Sequence, residues 1–410
     1  MRLSQVITTN RPLTRTASPL PMKISALAQF NECFFPIIDG VTFTVKNYAH
    51  WLNHKIAPTC VVTPSYPRYI ENEEFPVIRY ASAPLPFRAP YRIGLPFFSQ
   101  SLVSRLKQLP LNLVHAHSPF TAGHLALKIA RMKGIPIIGT FHSKYRADFE
   151  RWIPNRLVVD YLVHQVVQFY ESVDEVWIPQ KAVESTLREY GYKGRVEVVE
   201  NGVDFLPTPD TSPLRDVSRQ TLGLSPDANI LLYVGQHIWE KNLEFLLKSL
   251  SCLSETDFTM YFIGEGYAKR EMRSLAFNLN IADKVKFLEP IYQRKTLMSW
   301  YAAADIFLFP SIYDNSPLVL REAAAMQTPG LLIEGSTASE VIVNNSNGFL
   351  SGNKLTSYAE KIRFLLSQKG NLIEAGRVAS KTICRSWEDI VDEVIARYQF
   401  IVAKGTRIQP

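Results

Sequence analysis

A polar loop between a predicted strand and a predicted helix has the composition of a phosphate-binding site. Residues 305–311 predict a buried strand, and residues 318–326 predict a helix made of good helix formers. We expect Asn315 or Ser316 to cap this helix and Pro317 to lie in its first turn, where no amide loses a partner. The helix would then start at the carboxyl edge of the strand, where ligands bind in open α/β sheets.

The start of this helix supplies groups that bind phosphate without any special side chain. The backbone amides at Ser316, Leu318 and Val319, together with the positive end of the helix dipole, can bind a phosphate or diphosphate. Glu322, about one and a half turns into the helix, can accept hydrogen bonds from hydroxyl groups of the same ligand, as acidic residues do for ribose in other nucleotide sites. A helix cap beside a solvated glutamate is the alternative interpretation.

Histidines follow two other predicted parallel strands. His115 and His117 lie at the end of a strand near residues 113–115, and His142 follows the next strand, residues 135–139. No acidic or cysteine residue lies beside His115 and His117, so a zinc site is not expected there. The carboxyl ends of parallel strands are where ligands bind, which makes these histidines candidates for the site. A structural histidine is the alternative.

The candidate residues lie within an alternation of strands and helices, which predicts parallel sheets with crossover helices. One series of strands is readable near residues 22–27, 60–62, 113–115, 135–139 and 175–178. A second series is readable near residues 230–235, 260–264, 285–288, 306–309 and 330–333. The predicted fold class is therefore α/β, with two doubly wound parallel-sheet domains.

Length and one proline-rich segment divide the chain. A chain of 410 residues is too long for one compact core and fits two domains. Three prolines within residues 206–213 predict a linker. The predicted units are a disordered extension (1–21), an N-terminal domain (22–203), a C-terminal domain (204–384) and a C-terminal helix (385–410) that crosses back to the N-terminal domain. For the extension, a translation start at Met22 is preferred over a transit peptide.

The loop and helix that include Asp314 and Glu322 resemble the donor-binding signature of retaining, sugar-nucleotide-dependent glycosyltransferases, which are the family 4-like enzymes of glycosyl transferases group 1. The resemblance covers most of residues 22–400. It implies the GT-B fold, in which two Rossmann-like domains face a cleft, with the acceptor bound by the N-terminal domain and the nucleotide sugar by the C-terminal one. In that family two glutamates eight positions apart contact the donor sugar and the ribose. Glu322 matches the second, and Asp314, one methylene shorter, stands in place of the first.

The resemblance implies further contacts with the donor diphosphate. Gly40 matches a glycine-bearing loop that closes over the diphosphate, and Lys241 matches a lysine that grips it. Gln236 stands where the family commonly has an arginine for the same purpose, so one charged hydrogen bond is lost. If donor binding is to stay strong, His237 or another cation must compensate.

The expected catalytic residues are Asp314 and His142, which the resemblance places beside the donor sugar. Gly264 and Gly266 resemble the loop that lines the base pocket, and His117 is a candidate on the acceptor side. The resemblance implies retention of configuration, with the donor phosphate helping to deprotonate the acceptor. No Asp-x-Asp metal motif occurs in the chain, so a metal is not expected, and no cofactor is expected because the nucleotide sugar is a substrate.

A basic segment without acidic residues indicates the kind of acceptor. Between Glu74 and Asp148 the chain has ten basic residues and no acidic one, and aromatic residues and prolines interleave around Arg88 and Arg92. Such a surface favours peripheral docking on anionic lipid headgroups, and nucleic acid is the disfavoured partner. The segments His-Ser-Pro-Phe and Thr-Phe-His-Ser-Lys-Tyr also resemble those of glycosyltransferases that act on diacylglycerol or related lipid polyols. We therefore expect hexosyl transfer from a nucleotide sugar, UDP rather than GDP, to a membrane lipid.

Location and alternatives follow from the remaining features. Four widely spaced cysteines indicate reduced thiols in a cytoplasmic protein, and no apolar run is long enough to span a bilayer. We expect the protein at the inner face of the cell membrane, held peripherally. A transferase with a soluble or polysaccharide acceptor is the first alternative. A nucleotide-sugar epimerase and a nucleotide-sugar-binding protein without catalysis are the others, the last favoured by Gln236 and Asp314.

Overall fold

The first half of the chain is a seven-stranded parallel sheet with a small hairpin beside it. The computed structural model describes residues 23–85, 90–98, 100–204, 212–253 and 255–407. The strands of this half are β1 (Leu27–Phe30), β2 (Thr59–Pro64), β3 (Val77–Tyr80), β4 (Ser82–Pro84), β5 (Arg92–Gly94), β6 (Leu113–Ala116), β7 (Ile137–Thr140), β8 (Glu175–Ile178) and β9 (Glu197–Val198). The sheet order is β3-β2-β1-β6-β7-β8-β9, and β4 pairs antiparallel with β5.

Helices cover both faces of this sheet. They are α1 (Gly40–Lys55), α2 (Gln100–Gln108), α3 (Thr121–Lys133), α4 (Tyr145–Trp152), α5 (Arg156–Glu171) and α6 (Val183–Glu189). Helix α1 starts where Asp39 Oδ1 accepts a hydrogen bond from the Thr42 amide at 2.7 Å. Its buried side chains include Val45, Tyr48 and Leu52, three or four positions apart, so one face of the helix packs on the sheet.

The second half repeats the same architecture. Its strands are β10 (Ile230–Val234), β11 (Thr259–Ile263), β12 (Val285–Leu288), β13 (Ile306–Phe309), β14 (Gly330–Ile333) and β15 (Phe349–Ser351). Its helices are α7 (Ser212–Thr221), α8 (Leu243–Ser251), α9 (Lys269–Asn278), α10 (Arg294–Ala303), α11 (Leu318–Ala325), α12 (Leu355–Ser367), α13 (Lys369–Thr382) and α14 (Trp387–Lys404). The six parallel strands run β12-β11-β10-β13-β14-β15, the order of dinucleotide-binding sheets, in which ligands bind at the carboxyl edge.

The last helix returns to the first half of the chain. Helix α14 packs against α1, and its Trp387 and Tyr398 are buried in one cluster with Tyr48. Gly202 lies under the start of α14, where a Cβ atom would stand only 2.6 Å from the Trp387 Cα atom, so only glycine fits. The amide of Val203 donates to the Arg385 oxygen at 2.9 Å, which holds the two crossing segments side by side.

The α/β fold with two doubly wound parallel sheets is confirmed. Strands β8, β12, β13 and β14 have the predicted limits, and in β13 and β14 a continuous apolar run marks a strand that is buried on both faces. Strand β1 begins at Leu27, later than predicted, and the short edge strands β3, β9 and β15 were not predicted. The extension 1–21 and most of the linker 206–213 lie outside the described residues, so the domain limits stay a prediction. None of the helices in the described ranges combines the length and hydropathy that a bilayer crossing requires.

Candidate active site

The polar loop that follows β13 contacts the carboxyl edge of the first sheet. Asn315 Nδ2 donates to the backbone oxygen of His142 at 3.1 Å. The backbone oxygen of Ser316 accepts from Asn201 Nδ2 at 3.2 Å. The structure therefore brings the loop after β13 and the histidine after β7 to one cleft, as the sequence predicted for the carboxyl edges of both sheets. Sequence reasoning missed Asn201, which lies just before the predicted domain boundary at residues 203 and 204.

The predicted cap of α11 is wrong. The helix begins at Leu318, with Pro317 in the N-cap position, and no side chain caps it. Ser316 has a φ of 47°, in the left-handed region, and the Asn315 amide donates across the cleft to the His142 oxygen, and neither side chain caps the helix. The first turn of α11 thus keeps its amides free of a side-chain cap, an arrangement that suits an anion.

Three consecutive residues of this loop carry buried polar atoms that have no hydrogen-bond partner among the described residues. The atoms are Asp314 Oδ2, Asn315 Oδ1 and Ser316 Oγ. Buried polar atoms are nearly always paired, and leaving one unpaired costs about 1–3 kcal/mol. Three such atoms in a row, next to an uncapped helix start, indicate that a polar ligand completes this site.

Glu322 is buried rather than solvated, so the alternative of a solvated glutamate is wrong. Its side chain retains 10% of its accessible area. Arg294 donates to Glu322 Oε1 at 2.6 Å, and the hydroxyl of Tyr301 donates to Glu322 Oε2 at 2.8 Å. Each carboxylate oxygen has a second lone pair, so the group is held in place and can still accept a hydrogen bond from a ligand hydroxyl.

Lys241 and Asp314 lie together and form an ion pair. Lys241 ends the short 3-10 turn Trp239–Lys241 after β10, while Asp314 comes from the loop after β13, so the pair spans two neighbouring strands of the second sheet. The two side chains retain 23% and 17% of their accessible area. Asp314 engages Lys241 through Oδ1 only and leaves Oδ2 unpaired. The two residues expected to contact diphosphate and sugar are therefore adjacent.

His237 does not replace the missing arginine charge at Gln236. The side chain of His237 is fully buried, and both of its ring nitrogens have no partner among the described residues. Burial lowers the pKa of His237 to about 4, so the ring is neutral near pH 7. Gln236 itself is exposed at the end of β10. A compensating cation must come from elsewhere.

Gly264 and Gly266 have a packing reason that is independent of any ligand. A Cβ atom on Gly264 would lie 2.0 Å from the Gly235 oxygen, and one on Gly266 would lie 2.3 Å from the His237 oxygen. The loops after β10 and β11 therefore touch backbone to backbone. Gly40, by contrast, has nothing within 4 Å of its added Cβ, so the space in front of α1 is open. Their roles toward base and diphosphate stay predictions.

The three histidines of the first sheet belong to one chain of hydrogen bonds. His142 Nε2 lies 3.0 Å from His117 Nδ1, and His117 Nε2 lies 2.8 Å from Gln29 Oε1. Gln29 Nε2 donates to the Tyr398 hydroxyl at 3.4 Å. His115 continues the chain: its Nδ1 lies 2.5 Å from the Tyr398 hydroxyl oxygen, and its Nε2 lies 2.6 Å from Thr140 Oγ1.

The direction of this chain fixes the tautomer of His142. Because the amide nitrogen of Gln29 donates to Tyr398, its oxygen must accept from His117 Nε2. His117 Nδ1 is then an acceptor, so His142 donates through Nε2 and keeps a lone pair on Nδ1. Burial lowers the pKa of His142 to about 3 and the pKa values of His115 and His117 well below the ordinary range, which keeps the rings neutral. His142 is thus suited to accept a hydrogen bond at Nδ1.

The structure changes the interpretation of His117 and Arg92. His117 is 1% exposed and its Nδ1 lies 3.0 Å from His142 Nε2, so its contacts are those of a positioning residue, while its expected contact with an acceptor stays a prediction. The guanidinium of Arg92 donates to Ser82 Oγ at 2.7 Å and to the Ser82 oxygen at 3.0 Å, which ties it to the β4–β5 hairpin. Arg88 lies outside the described residues.

Lys144 is a cleft residue that sequence reasoning did not single out. It comes from the first sheet, two residues after His142, and its Nζ donates to Thr337 Oγ1 of the second half at 2.7 Å. The ammonium also lies 5.1 Å from the centre of the Tyr313 ring. Burial lowers the pKa of Lys144, and the nearby Asp314 carboxylate opposes this effect. Its position close behind the carboxyl end of β7 was the sequence signal that could have identified it.

Two family profiles match the two halves of the chain. Residues 38–205 match the profile described as Glycosyltransferase Family 4, and residues 215–381 match Glycosyl transferases group 1. The chain is 27% identical over 308 residues to the alpha-monoglucosyldiacylglycerol synthase of Streptococcus pneumoniae, which covers 73% of this chain and 69% of that protein. It is also 27% identical over 318 residues to a D-inositol 3-phosphate glycosyltransferase of Xylanimonas cellulosilytica, covering 73% of each.

Solved structures share the fold. Sucrose-phosphate synthase from Thermosynechococcus elongatus superposes with a TM-score of 0.78 at 19% identity, over 93% of this chain and all of that one (100%). The Anabaena protein HepE in complex with UDP-glucose superposes with a TM-score of 0.69 at 18% identity, over 91% of this chain and 98% of that one. At these identities the likeness is one of fold.

Proposed function

We propose that this chain, which belongs to the GT-B glycosyltransferases, moves a hexosyl residue from a UDP-sugar to a membrane lipid. Its first half matches glycosyltransferase family 4, and its second half matches glycosyl transferases group 1. The observation that carries the donor site is the row of unpaired buried atoms at Asp314, Asn315 and Ser316 beside the uncapped start of α11. The UDP-glucose bound by the Anabaena protein of the same fold supports the choice of donor.

The donor diphosphate is the leaving group and needs positive partners. We assign this role to the amides of Leu318 and Val319 at the start of α11 and to Lys241, with Gly40 leaving room in front of α1. Lys144, which reaches across the cleft, is the cation that we assign in place of the arginine missing at Gln236. Departure of the diphosphate then leaves an oxocarbenium-like sugar in a cleft shielded from water.

The remaining residues orient the donor. Glu322, held by Arg294 and Tyr301, accepts hydrogen bonds from the ribose. Asp314 Oδ2 and His142 Nδ1 accept hydrogen bonds from hydroxyl groups of the sugar. Transfer breaks the bond between the anomeric carbon and the phosphate oxygen and forms the bond to the acceptor oxygen on the same face. Because the new bond forms on the face that the phosphate leaves, the configuration is retained. The acceptor proton passes to the departing phosphate oxygen, so the reaction needs neither a metal nor a covalent sugar–enzyme intermediate.

An exposed apolar surface beside the cleft supports a lipid acceptor. It is formed where α4 meets α5 by Trp152, Leu157, Val158 and Tyr161, with exposed fractions of 44%, 78%, 42% and 62%. We call these four residues the α4–α5 surface. Arg151, next to Trp152, pairs with Glu240 of the second half, which precedes Lys241, so this surface borders the donor cleft. Tryptophan and tyrosine are the side chains that favour a membrane interface.

Charge at the α4–α5 surface is balanced. Residues 145–161 contain three arginines and three acidic residues, so attraction to anionic lipid is not expected to dominate there. We propose that the protein docks peripherally by inserting apolar side chains, in a manner that salt does not weaken. Electrostatic docking through Arg88 and Arg92, which the sequence suggested, stays a prediction, because Arg88 lies outside the described residues.

An acceptor comparison tests the proposal. The purified protein receives UDP-glucose together with either diacylglycerol in vesicles or inositol 3-phosphate, the acceptors suggested by the names of the two relatives. The proposal expects a glycolipid from the first reaction and no product from the second. Product from inositol phosphate alone would replace the lipid with a soluble acceptor and leave the donor assignment standing.

Removal of the α4–α5 surface is expected to release the protein from vesicles. Trp152→Ser combined with Leu157→Ser should lower the partition coefficient on zwitterionic vesicles by about a hundredfold, since the two exposed apolar side chains contribute roughly 1.5 kcal/mol each. Flotation in high salt measures the effect, because salt screens attraction through the protein's net charge of +7.

A matched control uses apolar side chains of similar exposure on other helices. Phe277 on α9 and Phe400 on α14 are 73% and 59% exposed, so the double change Phe277→Ser and Phe400→Ser should leave flotation unchanged. Equal loss in both double variants, or wild-type protein that does not float, would contradict docking through the α4–α5 surface.

A further inference from the structure

A histidine pair on α1 and a glutamate on the following loop converge at the surface. His50 and His54 lie four positions apart, so the helix presents both on one face. Glu74 lies in the segment between β2 and β3 and reaches both rings: its Oε1 is 3.0 Å from His50 Nδ1, and its Oε2 is 3.6 Å from His54 Nε2. One ligand atom from each residue lies within 4.8 Å of the others.

We infer that His50, His54 and Glu74 form a binding site for Zn²⁺ or a similar borderline divalent cation. Two imidazole nitrogens and one carboxylate oxygen are a common zinc ligand set, and the fourth position remains open to water. Bonds of about 2.0–2.1 Å in a tetrahedron place neighbouring ligand atoms about 3.3–3.4 Å apart. Glu74 Oε1 lies 3.0 Å from His50 Nδ1 and Glu74 Oε2 lies 3.6 Å from His54 Nε2, so each ring already has a carboxylate oxygen at about this distance.

The orientation of His54 supports the inference. Its Nδ1 lies 2.8 Å from the backbone oxygen of His50, a pure acceptor, so Nδ1 carries a proton and Nε2 is the nitrogen that faces Glu74 and is available to a metal. A ligating histidine usually donates its other ring nitrogen to a carbonyl or carboxylate in this way. The ring is therefore held in the tautomer that a metal requires.

Neighbouring charges leave room for a cation. Lys46 pairs with Glu73 and Lys55 pairs with Glu388 and Asp392, so both lysines of this helix face are engaged elsewhere. His54 lies in the last turn of α1, where the helix dipole favours positive charge. The site lies about 15 Å along α1 from Gly40, so it is separate from the donor cleft and independent of the proposed reaction.

Metal titration distinguishes this site from an ordinary surface ion pair. The protein is prepared without a histidine tag and with Cys252→Ser, because Cys252 is an exposed thiol that could bind zinc itself. Calorimetry with Zn²⁺ is expected to show one site per chain, and Co²⁺ is expected to give the visible absorption of a four-coordinate nitrogen and oxygen site. Expected affinity is micromolar or tighter.

Variants assign the ligands. His54→Ala and Glu74→Gln should each weaken Zn²⁺ binding by about a hundredfold or more, since even the outer partners of a metal site contribute 10- to 100-fold. His164→Ala is the matched control, because His164 is an exposed helix histidine whose Nε2 contacts Gln168 at 2.9 Å. Its zinc binding should be unchanged. The metal site would be contradicted if the wild type shows no saturable binding, or if His54→Ala binds zinc as the wild type does. The three residues would then form only a surface ion pair.

Discussion

Replacement of Glu322 by alanine is expected to lower kcat/KM by about a hundredfold, since a charged hydrogen bond to the ribose contributes roughly 2–3 kcal/mol. The same change removes a carboxylate that both Arg294 and the Tyr301 hydroxyl contact, so some loss of stability is also expected. Initial rates at subsaturating donor and a thermal melt on the same preparation measure the two effects.

Tyr301→Phe separates support from ligand contact. It removes one of the two hydrogen bonds that hold Glu322 and leaves the carboxylate in place, so kcat/KM should fall far less than in Glu322→Ala. Glu322→Gln keeps the size of the side chain and should reproduce most of the kinetic loss. Glu322→Ala protein that is folded and fully active would remove Glu322 from the donor site.

Replacement of Lys241 by methionine is expected to weaken the binding of UDP by up to about a hundredfold, because one charged contact with the diphosphate is lost. Asp314→Asn should act in the opposite direction on UDP. It frees Lys241 from its ion pair, so UDP binding is unchanged or tighter, while turnover falls because the sugar loses a charged acceptor. Titration of UDP into the two single variants and the double variant measures these effects.

An ion pair without a role in donor binding predicts another pattern. Both single variants would then lose stability, the double variant would recover part of it, and UDP would bind all of them equally. Such a result would contradict the assignment of Lys241 to the diphosphate and of Asp314 to the sugar.

The sequence predicted the buried strands well because long apolar runs can form little else in a parallel sheet. It was also right that a helix follows β13 and begins close to Leu318. The cap was not predictable from propensity, because Asn315 is engaged by the His142 oxygen across the cleft. Short edge strands such as β9 and β15 have two or three residues and give too weak an alternating pattern to be recognised.

The candidate site was predicted in its residue types more than in its contacts. The pattern singled out His117 and His142. Their supporting residues are distant in sequence, since Gln29 lies 88 residues from His117 and Tyr398 lies 283 residues from His115. This chain of hydrogen bonds therefore depends on the fold and could not be predicted from the sequence. Arg92 illustrates the opposite case. Its charge suggested a lipid contact, whereas in the structure its guanidinium donates to Ser82 on β4, the partner strand within the same hairpin.

The most direct test is the release of nucleoside diphosphate from a UDP-sugar, measured with and without diacylglycerol vesicles. A transferase of this kind releases diphosphate only with the acceptor and forms one glycolipid for each diphosphate, and we expect the release rate to fall about a hundredfold in Glu322→Ala. Conversion of the donor sugar without acceptor and without release would indicate an epimerase. Tight binding of UDP-sugar with no turnover in the presence of any acceptor would contradict the transferase and leave a protein that only binds the donor.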